Sequence, residues 1–335
     1  MPEETNQNIQ PDVPEKKPSI WSWFVVFIVI IIVVGLYCLV WNKSQVNVDN
    51  ENKNAESDTF DKKDDKGADP NMYNWSKMDR GPYHDKVSFA TSSDLVNWTD
   101  SEEILVEHAS VPDVIIKDGV LYVYFVDVET DGRKEQIGLI TSRDNGKTWS
   151  ERQIVNIEGI GDKTAVDPAP YLLDDGRIRL YYFDISTTMR DPDLSENTMY
   201  SAISDDGINF VEESGVRFKH QAIFDPDVIK TDSGWYMYVG TDDQKVLYAT
   251  SKDGLDFEYG GEVMSGGAIP NVIFESGKYY LYTGGIDIAT SNSPTSFTKT
   301  SKRFDSGGLT ADPGIVKLDD GSYLMVYKTS DKMPK

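Results

Sequence analysis

Cysteine is almost absent: the only one, Cys38, sits inside an apolar run. It makes no intrachain disulfide, and its context Gly35-Leu-Tyr-Cys38 lacks the small residue that a lipoprotein signal requires before its cysteine, so the fold is held by packing alone and the redox compartment stays unread. Positive charge is scarce as well. Lys and Arg number 33 against 56 Asp and Glu, a formal net charge of −23; a nucleic-acid partner would need a basic face, so that class is set aside in favour of a well-solvated exported domain. A sustained helical period is missing beyond the N-terminal segment, which points to an all-β domain.

The N-terminal residues divide by composition. Residues 1–19 are polar and aperiodic and read as a cytoplasmic tail. Residues 20–41 contain the uncharged stretch Phe24 to Val40, long enough to cross a bilayer as one transmembrane helix, with Trp21, Trp23 and Trp41 at its ends. Lys16 and Lys17 precede it and favour an N-in orientation, with Lys43 on the far side pulling the other way. The long polar lead and the missing cleavage site favour an uncleaved anchor over a signal peptide. Residues 42–72, rich in Asn, Asp, Lys and Glu, read as a flexible stalk. The expectation is a single-pass protein of the cell membrane whose main domain, 73–335, lies on the extracytoplasmic side.

That domain repeats one motif five times. Prolines at 112, 168, 226, 270 and 313 are spaced by 56, 58, 44 and 43 residues. Each is followed by apolar residues, a turn with glycine (Gly119, Gly176, Gly234, Gly277, Gly321), and an aromatic-rich run such as Leu121-Tyr-Val-Tyr-Phe125 or Trp235-Tyr-Met-Tyr238. This period matches one four-stranded propeller blade, so five copies predict a five-bladed β-propeller. A second signature, a strand, an Asp-containing turn and an aromatic, recurs at Ala90–Trp98, Thr141–Trp149, Ala202–Phe210 and Ala249–Phe257, with a degenerate copy at Ala289–Phe297. The first of these precedes the first proline repeat and the last repeat has none after it. Residues ~85–99 should therefore complete the blade begun by 312–329, tying the chain ends together and removing an open sheet edge.

In a propeller the innermost strands converge on a central channel, so the proline-containing starts are where chemistry is sought. Asp113, Asp167, Asp225, Asp227 and Asp312 come from four blades and Asn271 from the other. Any one Asp beside a proline has an ordinary role in fixing a turn. Several crowded together push one another's pKa apart, so that one stays protonated as an acid while another acts as a base, as glycosidic hydrolysis requires. His108, just upstream of the first repeat, and Tyr171 are further candidates for contact with a sugar, alongside Asn271 and Asp312. The acidic rim also leaves room for a Ca²⁺ ion in the channel, although no ligand spacing requires it.

The five blades, the Asp-Pro-x-Val strand starts, the Ala-Thr-Ser-x-Asp hairpins and the Tyr-rich strands resemble the five-bladed propeller superfamily of glycoside hydrolase family 43 with its arabinanase, levansucrase and invertase relatives, over residues 73–335. The resemblance implies an Asp base on the first blade, a tuning Asp on the second and a Glu acid on the third. Carried over, these are Asp113, Asp167 and, since the third blade has no Glu there, Asp225 or Asp227; Asp113 follows its proline where the family's Asp precedes it. Ser142-Arg-Asp-Asn-Gly-Lys-Thr-Trp149 is similar to the Asp-box turns of sialidases, which support the fold. A sialidase also needs an arginine cluster, and the strand starts offer none. The expectation is thus a membrane-anchored glycosidase-like protein acting on oligo- or polysaccharide. The alternatives are a non-catalytic carbohydrate-binding or adhesion propeller and, more weakly, a sialidase-like enzyme.

Overall fold

The computed structural model describes residues 73–79, 81–186 and 196–330. The expected tail, membrane helix and stalk at 1–72 lie outside the described residues, and among those described no helix is long and apolar enough to cross a membrane.

The chain forms a five-bladed β-propeller. The first blade contains Ala109–Lys117, Val120–Asp127, Gln136–Ser142 and Gln153–Ile154, and the second Ala165–Leu172, Ile178–Asp184, Glu196–Ser204 and Asn209–Glu212. Ile223–Thr231, Gly234–Thr241, Lys245–Ser251 and Glu258–Ser265 make the third, and Asn271–Glu275, Lys278–Thr283, Asp287–Ser291 and Thr298–Arg303 the fourth. The fifth joins Leu309–Lys317 and Tyr323–Ser330 to Asp85–Ser92 and Trp98–Glu107, so Phe89 pairs with Val326 and the two ends of the domain close the ring as the orphaned half-repeats require. The second blade is the irregular one: Asn156–Glu158 adds in parallel to its outermost strand, and Phe218–Gln221 pairs with Glu196–Ser204.

Apolarity falls from the axis outward. Every residue of Ile178–Asp184 is buried, because a second strand is covered on both faces by neighbouring blades, whereas every residue of Thr298–Arg303 is exposed at the rim. The tyrosines of the second strands do more than fill space. Tyr124, Tyr181, Tyr238 and Tyr282 each donate the hydroxyl hydrogen to a turn carbonyl of the next blade, Gly207 at 2.8 Å, Gly254 at 2.7 Å, Pro294 at 2.8 Å and Leu95 at 2.7 Å. The aromatic that closes each of those turns, Phe210, Phe257, Phe297 or Trp98, meets the same tyrosine edge-on at 6.0–6.2 Å. A buried hydrogen bond of this kind contributes about 1 kcal/mol and an edge-to-face pair about 0.5–1.5 kcal/mol. At the closing seam the place of the tyrosine is taken by Val326, and Gly146 packs on Leu324 instead.

Side-chain oxygens build the turns themselves. Ser204 Oγ accepts from Gly207 N–H at 2.9 Å, while Asp206 Oδ1 accepts from Ile208 and Asn209 N–H at 2.9 and 2.8 Å. Ser142 and Asp144 do the same for Gly146 and Thr148. Because strands alternate in direction, these turns lie at the opposite end of the barrel from the proline-containing starts.

Candidate active site at the channel mouth

Each innermost strand except the fourth breaks register as it enters the channel, between Ser110 and Asp113, Val166 and Ala169, Phe224 and Asp227, and Ala311 and Gly314. At every one of the five starts the residue before the proline is left-handed: Val111 at φ 47°, Asp167 at 52°, Asp225 at 46°, Ile269 at 58° and Asp312 at 50°. The five starts surround a void of about 20 Å³ that the residues before all five prolines line, together with Asp113 and Asn271 after theirs. That is room for about one water molecule.

The carboxylates expected to share one opening do meet there, in two layers. Two residues further along the strand, and so deeper, lie Asp113, Asp227 and Asn271. The Asn271 amide donates to Asp113 Oδ1 at 3.5 Å and to Asp227 Oδ1 at 3.3 Å, and Asn271 Oδ1 accepts from Ile315 N–H at 3.2 Å. Asp113 Oδ1 also accepts from Val114 N–H at 2.8 Å, and Asp227 Oδ2 from Val272 N–H at 2.7 Å. Nearer the mouth, Asp167 Oδ2 accepts from Asp225 N–H at 3.3 Å, and Asp312 is ion-paired to Lys328 at 2.5 Å. Asp167 thus stands nearer the mouth than Asp113.

Burial dominates the electrostatics. It pushes Asp167 and Asp227 up to about 7, with Asp312 adding to the rise at Asp167 and backbone N–H donors opposing it at both. Asp113 is raised well above the carboxylate range by burial and then by Asp227, and Asp225 by burial and then by Asp167. For Lys328 burial works against the charge, but Asp312, Asp85 and Asp225 outweigh it and hold the ammonium protonated.

Sequence reasoning missed two residues here. Lys328 is the cation among the mouth carboxylates, and it reads in the sequence as an ordinary strand-end lysine. Glu135 precedes the third strand of the first blade; burial and then the charge of Asp167 push it up to about 7.

Of the remaining candidates, His108 lies at the same end but off the axis. It lines a recess of about 300 Å³ between the fifth and first blades, with Tyr83, His84, Asp85, Lys86, Glu107 and Ser330. Its Nδ1–H donates to Tyr83 O at 2.6 Å and its ring stacks on Tyr83 at 3.9 Å. Asp85 joins the recess to the mouth: Ser110 Oγ donates to it at 2.8 Å, and Lys328 is among the charges it feels. Tyr171, expected near the sugar, is elsewhere. It sits toward the far end of its strand, 4.6 Å from Trp235, filling the joint between the second and third blades.

Among the described residues no three His, Cys, Asp or Glu are grouped to hold a metal, and Lys328 occupies the cationic position among the mouth carboxylates.

No protein-family profile and no curated protein matches the sequence. Solved structures do. The chain is similar to an α-L-arabinofuranosidase from Clostridium thermocellum, at 20% identity and a TM-score of 0.52 over 64% of this chain and 80% of that one. An endo-1,4-β-xylanase from Bacteroides thetaiotaomicron shares 18% identity with a TM-score of 0.53, over 65% and 84%. An enzyme from Xanthomonas citri of glycoside hydrolase family 43, solved with xylotriose, shares 17% with a TM-score of 0.51, over 66% and 87%. At these identities the likeness is one of fold: the chain and these enzymes share the five-bladed propeller.

Proposed function

We propose that this propeller hydrolyses glycosidic bonds, on the premise that its fold is that of the family-43 enzymes and its channel mouth is built from interacting carboxyls. The observation that carries the reading is the layer of Asp167, Asp225 and Asp312 around Lys328, in which burial and mutual repulsion keep protons on some carboxyls at neutral pH while one is ion-paired. Such a site offers an acid and a base side by side. In this reading Asp167, with Asp225 beside it, faces the scissile bond, and Asp113 with Asp227 sets the field from below. The recess around His108 has the volume for one sugar ring, and its polar lining suits hydroxyl groups. The apolar run at 20–41 supports membrane anchoring, with 42–72 as stalk and the propeller on the extracytoplasmic side.

The test is release of reducing sugar by the full-length chain across a panel of polysaccharides and aryl glycosides. Turnover that Asp167→Asn abolishes supports the hydrolase and identifies its sugar; turnover undiminished in that variant removes Asp167 from the chemistry. A second reading, a non-catalytic carbohydrate-binding propeller, is favoured by one observation: the axial void admits a water and no ring. Absence of turnover together with retention on an immobilised glycan would establish that reading in place of the first.

A further inference from the structure

We infer that Glu135 is the proton donor of this hydrolysis, supplying from the first blade the glutamate that the start of the third blade lacks. The inference rests on the glycosidase reading above.

Three observations carry it. Glu135 ends the loop between the second and third strands of the first blade, and antiparallel topology brings that loop to the end of the barrel where the innermost strands begin. The loop is tied down on both sides. Trp75 Nε1–H donates to Arg133 O at 2.9 Å, Gly132 N–H to Tyr73 O at 2.7 Å, and Arg133 is ion-paired at 2.7 Å to Asp127, which is itself fully buried. Its neighbours are thus committed, yet the Glu135 carboxyl has no hydrogen-bond or ion-pair partner among the described residues, and only Asp167 acts on it electrostatically. A half-buried acid on a rigid loop, unpartnered and beside another carboxyl, is placed for proton transfer rather than for holding structure. Its rise to about 7, caused first by burial and then by Asp167, leaves about half of it protonated at pH 7, where an ordinary glutamate is almost wholly ionised.

The step balances without a further reactant. The Glu135 carboxyl gives its proton to the glycosidic oxygen as the bond from that oxygen to the anomeric carbon breaks. A water forms the new bond to the anomeric carbon and gives its proton to ionised Asp167. Solvent returns a proton to Glu135 and takes one from Asp167, so one water is consumed and two hydroxyl-bearing fragments leave.

The experiment compares two substrates of the same sugar in the full-length chain: the natural glycan, whose leaving alcohol must be protonated, and a dinitrophenyl glycoside, whose phenolate leaves without a proton. Glu135→Gln should lose about 100-fold or more in kcat on the glycan, stay within about tenfold of wild type on the dinitrophenyl glycoside, and lose the alkaline limb of the pH–rate profile. Equal losses on both substrates, or none on either, would overturn the role of Glu135 and leave the glycosidase reading standing. A wild type that cleaves neither substrate would overturn both. Thermal melting of Glu135→Gln at or above the wild-type midpoint checks that the loop has kept its fold.

Discussion

Raising the pH from 5 to 8 should loosen this propeller. A carboxyl whose folded-state pKa exceeds its unfolded value contributes stability that is fully present below the unfolded value, near 3.8, and is lost as pH rises through the folded value. For Asp167 and Asp227 that folded value is about 7, burial being the first cause in both. Asp225 and Asp113, their respective partners, are raised as well. If each folded pair holds across this window one proton that the unfolded chain has already released, the loss between pH 5 and 7 is about 1.4 kcal/mol per pH unit and so roughly 2.7 kcal/mol per pair. Two pairs give about 5 kcal/mol, and at about 2–4 °C per kcal/mol the melting midpoint falls by roughly 10–20 °C. Calorimetry in about 0.5 M salt is the assay, because salt screens the surface repulsion of a chain carrying −23 and leaves buried pairs largely unscreened. Asp167→Asn should remove about half of the slope. A midpoint that holds or rises across the window, or one that falls equally in Asp167→Asn, would refute the reasoning. Below pH 4 the sign reverses: the N–H groups of Asn97 and Val96 hold Asp94, and the Thr148 hydroxyl and then its N–H hold Asp144, down to about 2, so their contribution is present above the unfolded value and is lost as pH falls through about 2.

Gly314→Ala should destabilise the domain by about 3 kcal/mol, since its Cβ would stand 2.6 Å from Asp113 Cα, a backbone atom that cannot step aside. Gly308→Ala, whose Cβ would meet Ser330 O at 3.4 Å and Thr329 Oγ1 at 3.7 Å, both ordinary contacts, should change stability by less than about 0.5 kcal/mol; equal effects of the two in urea unfolding would contradict the packing drawn at the channel. Lys328→Met removes the partner of Asp312 from among Asp167 and Asp225 and should cost about 3–5 kcal/mol at pH 7. The cost should shrink at pH 5, where Asp167 is protonated, and an identical loss at both pH values would count against a charge-pairing role.

The ring was legible in the sequence because its signals repeat. Prolines at a blade-length period and aromatic runs buried on both faces leave little else to build, and two unmatched half-repeats at opposite ends specify the closure of Asp85–Ser92 onto Tyr323–Ser330. The carboxylates were legible as a set, but their depth was not. The bulge at these two strand starts separates Asp167 from the Asp113 level by a backbone turn that residue types alone do not announce. Tyr171 was misplaced for a related reason: four residues beyond Asp167, at about 3.3 Å each, it is roughly 13 Å from the mouth. Glu135 escaped because it stands on a loop that aligns with nothing in the other blades, and burial against Asp167 appears only once two blades are side by side.

The backbone also decides how much the aspartates alone can mean. Left-handed φ occurs before the proline in all five blades, and Asp tolerates that conformation better than most residues. Asp167, Asp225 and Asp312 therefore have a conformational reason to be present whatever the protein does. Val111 and Ile269 occupy the same geometry with β-branched side chains, where the strain is largest, so the ring of bulges is imposed by the architecture and endured where no Asp relieves it. What architecture does not explain is the charge arrangement laid on top: a buried lysine inserted among the mouth carboxylates, and an unpaired glutamate on a pinned loop beside them. Burial opposes the charge of both, at Lys328 as an ammonium and at Glu135 as a carboxylate.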